Sequence, residues 1–105
     1  MIARGDIRWY RFSSPEERRP VLVLGRAEIM QAFTQVSVIP LSTDVRGLRW
    51  EVALSESDGV PSACVLKPEW IRSVDKKSLG PLIARFDEHR WRELRRALVD
   101  VLGFG

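Results

Sequence analysis

Short hydrophobic runs, separated by polar segments that contain glycine, proline or serine, occupy most of the chain. Aromatic and β-branched residues are frequent in these runs, whose length and composition are typical of strands. The run Val21-Leu22-Val23-Leu24 does not alternate with polar residues, which predicts a strand buried on both faces. The pattern predicts seven strands, over residues 7–12, 20–24, 34–41, 50–54, 62–67, 70–74 and 82–86.

The C-terminal segment has a helical period instead. Its apolar residues recur at intervals of three and four, at Trp91, Leu94, Leu98, Val101 and Leu102. Asp87 is a suitable N-cap and Gly103 ends the pattern, so we predict a helix over about 87–102. Four arginines lie around its apolar stripe, at positions 90, 92, 95 and 96. Residues 27–33 fit one face of a short helix but leave the assignment open, and 75–79 fit one helical turn.

Many short strands followed by one helix predict a mainly β fold, a small barrel or a sandwich, with the helix over one opening or face. The 105 residues fit one domain, with the barrel over about 4–86 and the helix after it. No apolar run has the length needed to span a bilayer, and the N-terminus lacks the apolar core of a signal peptide. We therefore expect a cytoplasmic protein that does not enter a membrane.

Charge and cysteine content narrow the functional classes. The net charge of +3 favours a nucleic-acid partner only weakly. Arginine is more frequent than lysine in the first half, and its planar fork suits phosphate oxygens, although a solvated surface explains the same composition. The single cysteine, Cys64, cannot form an internal disulfide and is predicted to be buried in a strand. The sequence has no CxxC motif and no Cys/His cluster of ligand spacing, and we expect no cofactor.

Three polar residues lie where one predicted strand begins and another ends. Arg19 opens the second strand, and Ser42 and Thr43 follow the third. If these strands are neighbours in a small barrel, a guanidinium and a hydroxyl meet at one edge, where they can bind a phosphodiester and help to break it. The simpler alternatives are a solvated arginine at a strand edge and hydroxyls that cap a turn.

Six segments, taken in order, resemble the MazF/PemK toxins of bacterial toxin–antitoxin modules. Together they cover the chain from Arg4 to the C-terminal helix. They are Arg4-Gly5-Asp6-Ile7, Arg19-Pro20-Val21-Leu22-Val23-Leu24, Val38-Ile39-Pro40-Leu41-Ser42-Thr43, Asp58-Gly59-Val60-Pro61, Cys64-Val65-Leu66 and Ile71-Arg72-Ser73-Val74-Asp75-Lys76. The resemblance implies an SH3-like barrel with a C-terminal helix and a homodimer. It also implies a metal-independent endoribonuclease that cuts single-stranded RNA, often mRNA, at short sequence motifs.

The resemblance also implies which residues act. The family's central arginine and hydroxyl fall on Arg19 and Ser42, and Thr43 is a further candidate because many members have threonine where this chain has Ser42. A basic and an acidic residue that some PemK-type members carry two positions apart fall on Lys67 and Glu69. Further RNA-binding candidates are Arg18, Glu16 and Trp9, the last because aromatic rings stack on bases.

The resemblance further implies an antitoxin partner with an acidic, flexible tail that covers the RNA groove. The residues leave the general base open among Glu16, Glu17 and Glu69. Two other functions stay as alternatives: a CcdB-like toxin that binds DNA gyrase through its C-terminal helix without catalysis, and a non-catalytic SH3-like protein-binding domain. The combination of Arg19 and Ser42 favours the ribonuclease over both.

Overall fold

In the computed structural model, residues 1–12 and 18–105 are described, and they form one sheet with two α-helices and several short 3-10 turns. The elements, in chain order, are β1 (Asp6–Arg11), β2 (Arg18–Val23), α1 (Ala27–Ala32), β3 (Gln35–Ser42), β4 (Val52–Leu54), β5 (Cys64–Leu66), β6 (Arg72–Asp75), β7 (Leu79–Arg85) and α2 (Trp91–Leu102). The sheet has the order β4-β5-β3-β2-β1-β7, and β6 pairs with β3 beside this path. This is the predicted fold class, mainly β with a C-terminal helix.

Strand β2 is buried on both faces, as its uninterrupted apolar run predicts. Val21, Leu22 and Val23 are completely shielded from solvent. Leu22 belongs to one hydrophobic cluster with Ile7 and Ile39, whereas Val21 and Val23 belong to a second cluster on the opposite face. Two packed faces explain why this run does not alternate, because every side chain has an apolar partner.

Strand β3 pairs with three other strands, β2, β5 and β6, and brings the predicted site together. Its first half pairs with β6 and its last two residues pair with β5, while β2 lies along its other edge. The antiparallel register pairs Val21 with Pro40 and Leu22 with Ile39. Extending this register by two positions sets Arg19 opposite Ser42. The prediction that these two strands are neighbours is therefore confirmed.

Helix α2 covers one end of the sheet with its apolar stripe. Leu94 and Ala97 are buried in the larger cluster, and Trp91 and Leu98 pack against it. The α-helix begins at Trp91, later than predicted, because Asp87 caps a preceding 3-10 turn (Glu88–Arg90) by accepting from the His89 N–H at 2.9 Å. The exposed face of α2 carries the arginines.

Several predicted strand boundaries differ from the observed ones by one to three residues. Strand β7 begins at Leu79 and includes Gly80-Pro81, which we expected to precede it. A proline is compatible with this strand because β7 lies at the sheet edge, where a missing N–H breaks no ladder. Strand β4 starts at Val52 and β6 at Arg72, each two residues later than predicted. Residues Pro68–Trp70 form a 3-10 turn, and the ambiguous segment is helix α1, anchored by buried Met30.

Neither α-helix in residues 1–12 and 18–105 combines the length and hydrophobicity that crossing a bilayer requires.

Candidate active site

The start of β2 and the end of β3 form one wall of a surface cavity of about 260 Å³. The sequence-predicted residues Arg19, Ser42 and Thr43 all line it, together with Arg18 and Trp9, which are two of the five further candidates. Apolar and small side chains complete the lining, namely Pro20, Leu41, Pro61, Ser62 and Cys64. The structure therefore places five of the eight candidate residues around one space.

Aromatic rings hold both arginines of the cavity. The Arg18 guanidinium carbon lies 4.3 Å from the centre of the Trp9 ring. The Arg19 guanidinium carbon lies 5.6 Å from the Phe12 ring and 5.9 Å from the Trp70 ring. Cations in such positions interact favourably with the electron-rich ring face. Both charges are thereby oriented by the protein before any ligand arrives.

The Ser42 hydroxyl is oriented by the backbone that follows it. Its Oγ accepts a hydrogen bond from the Asp44 N–H at 3.0 Å, as in a turn capped by serine. The functional and the turn-capping interpretations of Ser42 are thus compatible, because the hydroxyl proton can still be donated to a ligand. Ser42 is half-buried at the end of β3, whereas the neighbouring Thr43 is exposed.

Glu51 stabilises the loop that follows Ser42, over residues 43–51. Its carboxylate accepts from the backbone N–H groups of Gly47 at 2.9 Å, Arg46 at 3.2 Å and Leu48 at 3.3 Å. The same carboxylate accepts from Lys67 Nζ at 2.5 Å, with both side chains almost entirely shielded from solvent. These hydrogen bonds, chiefly the one from Lys67, lower the pKa of Glu51 although its burial opposes this.

The sequence did not single out Glu51, since nothing local distinguishes it from a surface glutamate. The signal in retrospect is its position, one residue before buried Val52 and shortly after Gly47, whose φ of 72° requires a glycine-like turn. A carboxylate there is well placed to accept from the exposed N–H groups of a tight loop.

Lys67 and Glu69 help to hold the loop that follows β3, and neither lines the cavity. Lys67 is only 1% exposed, and its ammonium group forms an ion pair with Glu51. Glu69 accepts from Trp50 Nε1 at 3.1 Å and so fixes the other end of the same loop. Glu16, the remaining candidate, and Glu17 lie outside the described residues.

Cys64 is buried in β5, as predicted, and burial raises the pKa of its thiol. A raised pKa keeps the thiol protonated and unreactive, so its place at the cavity is structural. In the described part of the chain, His, Cys, Asp and Glu side chains form no group of three or more that would suit a metal ion.

Comparison with known proteins identifies the family. The model of the PemK-like, MazF-like toxins of type II toxin–antitoxin systems matches residues 3–102. The chain is 32% identical to the "Probable endoribonuclease MazF5" of Mycobacterium tuberculosis over 97 residues. This alignment covers 91% of this chain and 88% of that protein.

Two solved structures have the same fold. The Mycobacterium tuberculosis toxin MazF-mt6 has a TM-score of 0.84 at 26% identity, over 93% of this chain and 96% of that chain. A chain of a MazE–MazF crystal structure from Deinococcus radiodurans has a TM-score of 0.81 at 28% identity, over 97% and 96%. With nearly its whole length matched in sequence and in structure, the chain belongs to the PemK-like, MazF-like toxin family of type II toxin–antitoxin systems.

Proposed function

We propose that this protein is an endoribonuclease that cuts single-stranded RNA at short sequence motifs without a metal ion. The convergence of Arg19, Ser42 and Thr43 on one cavity carries the proposal, because the family resemblance assigns the chemistry to these positions. The relatives named as endoribonucleases support the same reaction.

The reaction uses the RNA's own 2′-hydroxyl. Its oxygen attacks the adjacent phosphorus, the bond to the 5′-oxygen breaks, and the products are a 2′,3′-cyclic phosphate and a 5′-hydroxyl. The proton of the 2′-hydroxyl passes to a base, and a proton is delivered to the leaving 5′-oxygen. The protein therefore has to align the attack and stabilise the extra charge on the phosphate oxygens.

Arg19 supplies the charge. Its planar fork can donate two hydrogen bonds to phosphate oxygens, whereas a guanidinium is a poor proton shuttle. Ser42 donates a further hydrogen bond to the phosphate or the attacking hydroxyl. It does not act as a covalent nucleophile in this scheme, because no imidazole lies among the described residues of the cavity to activate it.

The described lining of the cavity also holds no carboxylate. We therefore assign alignment of the attack and stabilisation of charge to Arg19 and Ser42. We assign the role of general base to no residue of the cavity lining. Glu69, one of the three candidate bases, does not line the described part of the cavity, and its carboxylate accepts from Trp50 Nε1.

The same proposal includes the partners. Crystal structures from Deinococcus radiodurans include MazE–MazF complexes, and we propose that this toxin likewise binds an antitoxin with an acidic, flexible tail. A basic, aromatic-lined cavity suits such a tail as well as RNA. We also propose a homodimer that acts in the cytoplasm. The gyrase-binding alternative finds no support, since the family model and the named relatives are of the MazF type.

Removing Arg19 tests the site. We expect Arg19→Ala to lower kcat on single-stranded RNA by about 10²- to 10³-fold, the usual cost of losing one group that stabilises developing charge. Arg26→Ala is the matched control, because Arg26 is an exposed arginine just before α1 and does not line the cavity. Equal cleavage rates for wild type and Arg19→Ala, with Arg26→Ala also active, would refute the assignment.

A further inference from the structure

Helix α2 presents an arginine face to solvent, defined here as Arg92, Arg95 and Arg96. These residues are three and four positions apart, so they share one side of the helix, and all are exposed. Two surface grooves, of about 530 and 420 Å³, run beside them, and Arg92 and Arg96 line both. The apolar side of α2 is occupied by the core, so this face is not needed for folding.

The carboxylates beside the arginine face are already paired with other cations. Asp100 binds Arg49 through two hydrogen bonds of 2.7 and 3.0 Å. Glu93 accepts from Arg90 at 2.9 Å, and Glu51 is paired with Lys67. Within residues 1–12 and 18–105, none of the three guanidiniums of the arginine face has a carboxylate within ion-pair distance. The face therefore presents three uncompensated positive charges.

The loop that starts at the cavity leads directly to this face. Thr43 lines the cavity, and Arg49, six residues later, binds Asp100 on α2. Glu51 lines the groove beside Arg92 and also holds this loop in place. The six residues from Thr43 to Arg49 span at most about 20 Å. A strand of about six nucleotides is long enough to cover this distance, even at the duplex rise of about 3.4 Å per nucleotide.

We propose that the arginine face of α2 is an RNA-binding exosite that holds the phosphates of the substrate strand outside the cleaved motif. The inference rests on the proposed ribonuclease function, because a strand held at the cavity is a continuous polyanion whose flanking nucleotides must pass over the neighbouring surface. Arg92 and Arg96 are about 6 Å apart along the helix, a span that faces roughly two phosphates of a strand.

RNA fits this surface better than an acidic peptide does. The substrate of the proposed reaction brings its charges to the neighbourhood of the cavity in every encounter, and the loop connects the two places. All three side chains are positively charged, and this charge attracts the phosphates of the strand. A single strand neutralised here releases counterions, so the contribution of the face depends on salt.

Substrate length tests the proposal. The double variant Arg92→Gln/Arg96→Gln removes two charges and keeps good helix formers. For an RNA of about 40 nucleotides we expect KM to rise about tenfold at low salt, and the slope of log affinity against log salt to become shallower by about 1.4, for two lost phosphate contacts. For an RNA of about five nucleotides around the mapped cleavage motif, kcat and KM should stay at the wild-type values. The matched control, Arg26→Gln/Lys77→Gln, removes the same charge from exposed positions outside both grooves.

Each result has a separate meaning. An unchanged KM and salt slope on the long RNA would overturn the exosite, and so would an equal loss on the long and the short RNA, which would indicate a damaged site or fold. If the double variant loses only its affinity for a poly-glutamate peptide, the face binds acidic protein segments and the proposal is wrong. If wild-type protein cuts neither RNA, the ribonuclease function itself fails and the exosite with it.

Discussion

Two arginine-bearing regions of this protein differ in how their charges are held. At the cavity, Arg18 and Arg19 lie against the rings of Trp9, Phe12 and Trp70, on strands whose register is fixed by a buried core. On α2, the arginine face extends from an exposed helix surface and contacts no carboxylate of the described residues. The charges are of the same type, but only those at the cavity are preorganised.

This difference separates two tasks. Catalysis requires charges that are already in place, because interactions accelerate the reaction only when they are stronger in the transition state. Binding a flexible strand requires only attraction, which mobile arginines on a helix provide. We therefore expect changes at the cavity to act on kcat and changes on α2 to act on KM and its salt dependence.

Exchanging arginine for lysine separates the two regions most strongly. Arg19→Lys keeps the charge but loses the planar fork that holds two phosphate oxygens, so we expect kcat to fall about a hundredfold. Arg96→Lys keeps the positive charge that attracts the strand, so kcat and KM should change by less than about twofold. Steady-state kinetics on one long RNA measures both. Retention of activity by Arg19→Lys would show that the geometry of the cavity is not used.

The two hydroxyls at the cavity are expected to contribute unequally. Ser42 is half-buried and oriented by the Asp44 N–H, whereas Thr43 is exposed. Ser42→Ala should lower kcat by about 10- to 100-fold, and Thr43→Val by less than about threefold. Single-turnover cleavage rates compare the two directly. The reverse order would transfer the role to Thr43.

Trp9 is expected to act on binding, although it lies in the cavity. Its ring packs against Arg18 and can stack on a base of the strand, an interaction that tolerates any aromatic ring. Trp9→Ala should raise KM about tenfold, while Trp9→Phe keeps most of the affinity. Fluorescence anisotropy with an RNA that has a 2′-deoxy group at the cleavage site measures binding without cleavage. Equal losses in both variants would indicate a packing defect instead.

The smallest effect is expected from the support behind the cavity, as a dependence of stability on pH. Because the pKa of Glu51 is lowered in the folded protein, its ionised form stabilises the fold. This contribution is complete above the ordinary glutamate pKa of about 4.3 and is lost as the pH falls through the lower folded-state value. The Tm advantage of wild type over Glu51→Gln should therefore be present at neutral pH and shrink below about pH 4.

Thermal unfolding followed by circular dichroism across this range measures the effect of Glu51. Glu28→Gln, on the exposed side of α1, serves as the control for removing one carboxylate. A Tm difference between wild type and Glu51→Gln that is the same at every pH would show that the charge of Glu51 does not stabilise the loop.

The sequence predicted what depends on local pattern. The uninterrupted run in β2 predicted burial on both faces, and the period of α2 predicted its apolar stripe. The strand pattern predicted that Arg19 and Ser42 share one edge on the condition that their strands are neighbours, and β2 does pair with β3. The burial of β2 and the apolar stripe of α2 require only the spacing of residues that are close in the chain.

The rest depends on contacts between distant segments. Glu51 reaches Lys67, 16 residues away, and its role appears only when the loop has folded back on it. The start of β7 was misjudged because the tolerance for Pro81 depends on the strand being at the sheet edge. The arginines of α2 were visible as a pattern, but the pairing of Asp100 with Arg49 and of Glu93 with Arg90, which leaves them uncompensated, appears only in the structure.

Mapping the ends of cleaved RNA tests the central claim most directly. Purified protein is incubated with a long single-stranded RNA in excess EDTA, and both product ends are identified. We predict discrete cuts at a shared short motif, with a 2′,3′-cyclic phosphate on the upstream product and a 5′-hydroxyl on the downstream product. RNA that stays intact in EDTA, or products with 5′-phosphate ends, would contradict the proposed reaction and the roles assigned to Arg19 and Ser42.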